Sequence, residues 1–258
     1  MNSLIEAIFT GLLQGLLEWL PLSSQGNIVF FLFTFFGYSR TETLNTAIFL
    51  HLGTGLAALL YFRKEIIEIL LAETIEYDDI RSKIFLMTFL TGLIGFPIYM
   101  WLNISTVYGE FLLAITGLAL IFSGLLQRYS ANRRQIRSEL TWPLSLVLGL
   151  AQGLSAIPGV SRSGLTTSIL LLSDFNGEEA FRISFLMSIP TSFSAAIGLM
   201  IIKGYDINFF SAFSALIAAL FGYLAIDSLL RLAREVSFWK ICIGIGTLAI
   251  LAWIPNIV

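Results

Sequence analysis

Six long apolar stretches dominate this sequence and decide what it can fold into. A membrane-spanning helix needs about 20 mainly apolar residues. Stretches of about that length lie at 44–62, 84–102, 111–127, 180–202, 208–230 and 238–256. Hydrophobic residues fill 57% of the 258 positions and charged residues only 12%, against about 25% charged in soluble domains. The sequence therefore predicts an all-α polytopic protein of the cell membrane, a single integral membrane domain over residues 1–258. Its net charge of −2 gives no sign of nucleic-acid binding.

Two further apolar regions are broken by polar residues. Residues 3–37 are interrupted at LPLSSQGN, and residues 141–173 are interrupted at IPGVSRSG. Each half of these regions is too short to cross a bilayer comfortably, so each region predicts two short helices that form a re-entrant hairpin. Irregular backbone at membrane depth is stable only where protein or a watery cavity satisfies its polar groups. Both loops are therefore predicted to be enclosed in this way.

The positive charges predict the orientation of these segments. Cytoplasmic loops of membrane proteins are rich in Lys and Arg. The loops assigned to the cytoplasm are 63–83, 128–140 and 231–237. With their helix ends they hold Arg63, Lys64, Arg81, Lys83, Arg128, Arg133, Arg134, Arg137, Arg182, Arg231, Arg234 and Lys240. The other side holds only Arg40 and Lys203, and Arg162 lies in the second hairpin. The first hairpin is thus predicted to enter from outside and the second from the cytoplasm, with the acidic segment 72–83 as a solvated connector.

The two hairpins are copies of one sequence. GLLQGLLEWLPLSSQG (11–26) matches GLAQGLSAIPGVSRSG (149–164) at seven of sixteen positions without a gap. A weaker match of FLHLGT with LMSIPT continues the similarity. Since the copies enter from opposite faces, they predict an inverted-topology repeat, roughly 1–127 and 141–258. Proteins of this architecture place their site near the midplane, where broken helices meet.

The two loops would bring one acid, one arginine and many small polar groups together. Arg162 carries a permanent planar charge that suits a phosphate group. Ser161 and Ser163 stand at the start of a short helix, and helix N-termini attract anions. Glu18 repels an anion, so it needs either Arg162 as a counter-ion or a divalent cation, Mg²⁺ or Ca²⁺, that bridges it to phosphate. An ion pair that only locks the hairpins together is the structural alternative.

Other polar residues of the spans are interpreted as structural. The only histidine, His51, lies within a predicted span, where a packed and hydrogen-bonded side chain is the simplest interpretation. Asp227 precedes Arg231 by four residues, a spacing that predicts an ion pair along one helix face. A direct chemical role for His51 stays open as the second alternative, since folding could bring it near the first motif.

The two loop sequences resemble the signature motifs of the undecaprenyl-diphosphate phosphatase family. LLQGLLEWLPLSSQGN is similar to its Glu/Gln-x-x-x-Glu motif, PGVSRSGLT to its PGxSRSxxT motif, and HLGTGLAALLYFRKE to the segment after its first hairpin. The resemblance covers nearly the whole chain. It implies a membrane phosphatase that removes the terminal phosphate of a polyprenyl diphosphate and recycles the carrier lipid for envelope glycan assembly. It also implies a site that faces the extracytoplasmic side and a dependence on a divalent cation.

The residues and the resemblance together predict roles within both motifs. The catalytic candidates are Glu18, Ser24 and Arg162. The candidates for a divalent cation are Glu18 and Gln14. The predicted substrate-binding residues are Gln14, Ser23, Asn27, Ser161, Ser163 and Thr166. Asn27 stands where bacterial members typically have a histidine, and Gln14 stands where many members have a glutamate. The identity of the attacking group is therefore left open, with Ser24 as the first candidate.

Two other functions stay open at this point. Inverted repeats with broken helices are also a transporter architecture, so the same phosphate cradle could carry a polyprenyl phosphate across the membrane. A catalytically inactive resistance or scaffold protein is the third interpretation. The sequence leaves the oligomeric state open, a homodimer included.

Overall fold

The protein is built from helices. The structure, a computed structural model, describes residues 3–20, 23–72, 74–104, 139–157, 160–235 and 238–253, with scattered residues between 114 and 129. No strand occurs among these residues. Ten helices run through the longer described segments: α1 Leu4–Leu17, α2 Ser24–Phe36, α3 Arg40–Tyr61, α4 Arg63–Leu71, α5 Ile75–Ile104, α6 Trp142–Leu154, α7 Arg162–Leu172, α8 Gly177–Lys203, α9 Phe209–Glu235 and α10 Phe238–Trp253.

Four of these helices are long and apolar enough to cross a membrane. They are α3, α5, α8 and α9, with candidate spans at Thr41–Tyr61, Tyr77–Leu102, Gly177–Lys203 and Phe209–Ser228. They coincide with four of the predicted spans. The predicted span 111–127 falls largely outside the described residues, and 238–256 corresponds to α10, which is described only as far as Trp253. The total number of spans stays a prediction.

The acidic segment 72–83 was predicted to be a solvated connecting loop, but it is helical from Ile75 onwards, while most of its described side chains are exposed or half-buried. Helix α4 ends at Leu71 and α5 begins at Ile75. Within the first turns of α5, Lys83 pairs with Asp79 one turn earlier. Acidic side chains stabilise the N-terminal turn of a helix because they face its positive end, and ion pairs at this spacing add to the effect.

Each pair of short helices folds back on itself. In the first pair, Tyr38, just after α2, donates its hydroxyl to Glu6 of α1 at 2.7 Å. In the second pair, Leu148 of α6 and Leu170 of α7 belong to one buried cluster. Both pairs therefore have the helix-loop-helix form that the sequence predicts. Their re-entry into a bilayer from opposite sides stays a prediction.

Glycines in the hairpins let them pack closely on long helices. A Cβ atom added at Gly15 of α1 would lie 2.9 Å from the carbonyl oxygen of Ala218 in α9. At Gly153 of α6 it would lie 2.6 Å from Cβ of Ile94 in α5. The sequence match pairs these two glycines, and small residues at such positions allow close contact between membrane helices. Each hairpin thus rests on a long helix from the other half of the chain.

The close contact of α3 with α9 leads to a stability prediction. A Cβ atom at Gly53 would overlap the carbonyl oxygen of Ala215. Because overpacking forces backbone shifts, we expect Gly53→Ala to lower the free energy of unfolding by about 1–3 kcal/mol. Thermal unfolding in detergent measures this. Gly244→Ala is the control, since a Cβ at Gly244 meets no atom of the described residues within 4 Å. Equal unfolding temperatures for the two variants would contradict the contact.

Candidate active site

The tips of the two hairpins meet inside the protein. Nη2 of Arg162, the first residue of α7, donates to Oε1 of Glu18 at 2.5 Å. The hydroxyl of Ser163 donates to the carbonyl of Leu20 at 2.6 Å. Glu18 directly follows the last residue of α1, so the end of one helix faces the start of another. Two loops that are far apart in the sequence therefore form one site.

Glu18 is a buried carboxylate surrounded by polar partners. Its Oε2 accepts from the hydroxyl of Ser24 at 2.6 Å and from Nε2 of Gln14 at 2.9 Å. Nε2 of His51 lies 3.4 Å from the same oxygen. A charge taken out of water is stable only when it is paired and hydrogen-bonded. Together with Arg162, these partners provide the counter-charge and the hydrogen bonds that stabilise the buried carboxylate.

Arg162 is held from three directions. Nη1 donates to the carbonyl of Ser184 in α8 at 3.0 Å, while Nη2 donates to Glu18. The guanidinium lies 5.6 Å from the ring centroid of Trp19, whose own Nε1 donates to the carbonyl of Gly222 in α9 at 3.0 Å. A guanidinium has five N–H donors, and its described protein partners take two. Arg162 is therefore rigidly placed with donors left for a ligand.

A serine caps the helix that starts at each tip. The hydroxyl of Ser23 accepts from the N–H of Gly26 at 3.1 Å, and that of Ser161 accepts from the N–H of Gly164 at 3.1 Å. The sequence match pairs both serines and both glycines. The first N–H groups of a helix and its dipole favour anions. The start of α7 therefore adds to the positive potential beside Arg162.

A cavity of about 590 Å³ extends from the meeting point of the tips. Its polar end is lined by Glu18, Ser23, Ser24, His51, Ser161 and Arg162. Beyond this end it runs between α5 and α8, where its walls include the apolar residues Phe89, Leu93, Phe96, Ala195, Leu199 and Ile202. The three apolar residues of α5 are also exposed on the surface. A charged end joined to a laterally open apolar groove suits a ligand with an anionic head and a hydrocarbon tail.

Four of the predicted site residues lie behind the cavity wall. These are Gln14, Asn27, Ser163 and Thr166, none of which lines the cavity. The side-chain amide of Asn27 donates to the carbonyl of Ser23 at 2.9 Å. The hydroxyl of Thr166 donates to the carbonyl of Arg162 at 2.9 Å and is 2.7 Å from the hydroxyl of Ser184. In this arrangement these side chains brace the loops that carry Ser24 and Arg162.

His51 is a further candidate for the site, although a packed, structural side chain was its simplest interpretation in the sequence. It is hydrogen-bonded, as expected, because Nδ1 lies 2.7 Å from the carbonyl oxygen of Ala47. The carbonyl can only accept, so Nδ1 is the donor of this contact, and Nε2 is the atom that faces Glu18. His51 also lines the cavity. One feature of the sequence did point to a role for His51. It lies within a predicted span, and ionisable residues at membrane depth are functional by default.

The two residues predicted to hold a divalent cation do not form a pair of oxygen ligands. Gln14 turns its amide nitrogen towards Glu18, and its Oε1 is buried with no hydrogen-bond partner among the described residues. Both oxygens of Glu18 already accept from N–H and O–H donors, and Arg162 places a positive charge beside them. Mg²⁺ and Ca²⁺ are bound through several oxygen ligands. This arrangement does not fit a cation held by Gln14 and Glu18, and a cation elsewhere at the site stays a prediction.

Comparisons with known proteins place the chain among named relatives. A family model described as "Bacitracin resistance protein BacA" matches residues 7–249. A protein of Methanococcoides burtonii named undecaprenyl-diphosphatase is 40% identical over 97% of this chain and 98% of its own length. Proteins with the same name from Haloarcula marismortui and Saccharolobus solfataricus are 39% and 31% identical, over 97% and 98% of this chain and 97% of each relative.

Proposed function

Because the chain belongs to the family described as bacitracin resistance protein BacA, we propose that it is a membrane phosphatase that hydrolyses a polyprenyl diphosphate to the monophosphate. The relatives are named undecaprenyl-diphosphatase, so undecaprenyl diphosphate or a similar carrier lipid is the proposed substrate. The reaction recycles the carrier for cell-envelope glycan synthesis. One observation carries the proposal: Arg162 and the start of α7 stand at the polar end of a groove with apolar walls.

The polar end of the groove is proposed to bind the diphosphate. Arg162 can grip phosphate oxygens with the donors that Glu18 and Ser184 do not use, because a guanidinium binds phosphate through two parallel N–H groups. Ser161 and the first N–H groups of α7 add donors on the same side. As negative charge builds up on the phosphoryl oxygens in the transition state, these fixed donors stabilise it without having to reorganise.

Ser24 is the proposed nucleophile. Its hydroxyl already donates to Glu18 at 2.6 Å, which is the contact between nucleophile and base that covalent catalysis requires. Oγ of Ser24 would attack the terminal phosphorus while Glu18 takes its proton, and the bond to the bridging oxygen breaks to release the polyprenyl monophosphate. Water would then hydrolyse the phosphoserine, releasing phosphate and restoring the hydroxyl. Arg162 holds the carboxylate in position throughout.

The protein is further proposed to work in the cell membrane with its site towards the extracytoplasmic side. The distribution of Lys and Arg supports the orientation of the spans, with the loops 63–83, 128–140 and 231–237 in the cytoplasm and the first hairpin entering from outside. The family resemblance is the support for a site that faces the outer side. The transporter alternative is not proposed, since the names of the relatives describe a hydrolase and lend no support to transport.

Release of phosphate from undecaprenyl diphosphate by the purified protein tests the proposed function. We expect Ser24→Ala to lower kcat about a hundredfold and not further, because Glu18 can still activate a water molecule as a general base. Ser145→Ala is the matched control: Ser145 is also buried and donates to a backbone carbonyl at 3.0 Å, but it does not line the cavity. A wild-type protein that binds the lipid and releases no phosphate would overturn the proposed function.

A further inference from the structure

Two glycines in the groove differ from the packing glycines of the fold. A Cβ atom added at Gly15 or Gly153 would press against a neighbouring helix. At Gly92 of α5 and Gly198 of α8 it would lie more than 4 Å from every atom that the structure describes. Both glycines line the cavity that begins at Arg162. The missing side chains at these two positions therefore serve no contact within the described protein and only leave room.

A glycine at these two positions makes the helices less stable. A glycine in a helix interior is less favourable than an alanine by about 1 kcal/mol. At Gly15 and Gly153, close helix contacts offset the cost. At Gly92 and Gly198 nothing in the described protein offsets it, so the space itself is the feature that needs an explanation. The laterally open groove and its apolar walls point to a hydrocarbon chain as the occupant.

The distance of Gly198 from the phosphate-binding end of the cavity follows from its position along α8. Arg162 donates to the carbonyl of Ser184, which marks the head-group end of α8. Gly198 follows on the same helix, about 21 Å further along its axis at the usual rise per residue. Between them, the cavity wall changes from hydroxyl to apolar side chains. The residues of α8 that line the cavity are, in order along the helix, Ser188, Thr191, Ser192, Ser194, Ala195, Gly198, Leu199 and Ile202.

We propose that Gly198, with Gly92 on the opposite wall, determines specificity for the length of the isoprenoid tail. The inference rests on the proposed function, in which the diphosphate head binds at Arg162. A long polyprenyl tail reaches Gly198 and occupies the space that a larger side chain would fill. A geranyl tail is too short to reach a position about 21 Å from the head-group end, so it is bound without contact at Gly198.

Binding of two lipids of different length tests this inference. Affinities of undecaprenyl diphosphate and geranyl diphosphate for the detergent-solubilised full chain are measured alongside phosphate release. We expect Gly198→Leu to weaken undecaprenyl diphosphate about tenfold or more relative to geranyl diphosphate, because filling an apolar pocket by even one methylene changes discrimination by about that factor. Gly92→Leu, on the opposite wall of the groove, should also weaken undecaprenyl diphosphate more than geranyl diphosphate. It serves as the second variant if Gly198→Leu fails to fold.

The matched control is Gly244→Leu. Gly244 lies in the apolar helix α10, also has open space at Cβ, and does not line the cavity. Its variant should leave the ratio of the two affinities unchanged. Equal weakening of both lipids by Gly198→Leu and Gly92→Leu, or no change in either, overturns the inference. A wild-type chain that binds both lipids and releases no phosphate overturns the proposed function and leaves the tail-length inference to be decided by the affinities.

Discussion

Arg162→Lys is expected to lower kcat/KM for undecaprenyl diphosphate about a thousandfold, near the upper end of what loss of a fixed transition-state donor costs. The guanidinium holds Glu18, Ser184 and a phosphate at once because its N–H groups point in different fixed directions. A lysine ammonium keeps the charge and loses this geometry. Phosphate release by the purified variant measures the effect, with lipid affinity as the second measurement.

Arg231→Lys is the control for this prediction. Arg231 also pairs with an acid, Asp227, and its side chain is 73% exposed. Exposed ion pairs contribute little to stability, typically below about 1 kcal/mol. The control should therefore match the wild type in activity and unfolding temperature. If Arg162→Lys also retains wild-type activity, the pair with Glu18 is structural and Arg162 does not hold the phosphate.

Glu18→Gln is expected to lower kcat about a thousandfold, within the range that a positioned general base contributes. Glutamine has the same shape, but its amide cannot take a proton from Ser24 or from a water molecule. The effect is larger than that of Ser24→Ala, since removal of the base disables both nucleophiles. Single-turnover phosphate release separates this loss in the chemical step from a loss of lipid binding.

Glu179→Gln provides the comparison for Glu18→Gln. Glu179 also pairs with an arginine, Arg182, at 2.7 Å, but it lies away from the cavity. Removal of the negative charge of Glu179 should leave the rate of phosphate release at the wild-type level. The role of Glu18 as the base is refuted if both glutamine variants show the same rate of phosphate release as the wild type.

The sequence predicted the family and the meeting of the two loops at the site. Two motifs in one order, joined by a repeat, indicated the phosphatase family, and the match over residues 7–249 confirms that family. The sequence left two alternatives for Glu18, Arg162 as its counter-ion or a bridging divalent cation, and the structure has the ion pair with Arg162. Both predictions depend on local sequence and on the cost of burying charge.

What the sequence did not predict depends on how distant elements pack. His51 reaches Glu18 only because α3 packs beside the first hairpin, and nothing in the spacing of these two residues along the chain indicates it. The hydroxyl of Thr166 and the amide of Asn27 looked available for substrate, but backbone carbonyls nearby accept their hydrogen bonds. A loop was predicted at the acidic start of α5, although acidic side chains favour a helix there because they face the positive end of the helix dipole.

The contact between Glu18 and Arg162 also has a consequence for how the protein is made. The two residues are 144 positions apart, so the first hairpin is synthesised long before its counter-ion. Until the second hairpin arrives, Glu18 has only neutral hydrogen-bonding groups and His51 around it, and a carboxylate at that depth is costly. The N-terminal half should therefore settle at its final depth only after the C-terminal half has inserted. The site is therefore expected to assemble only after the second hairpin has inserted.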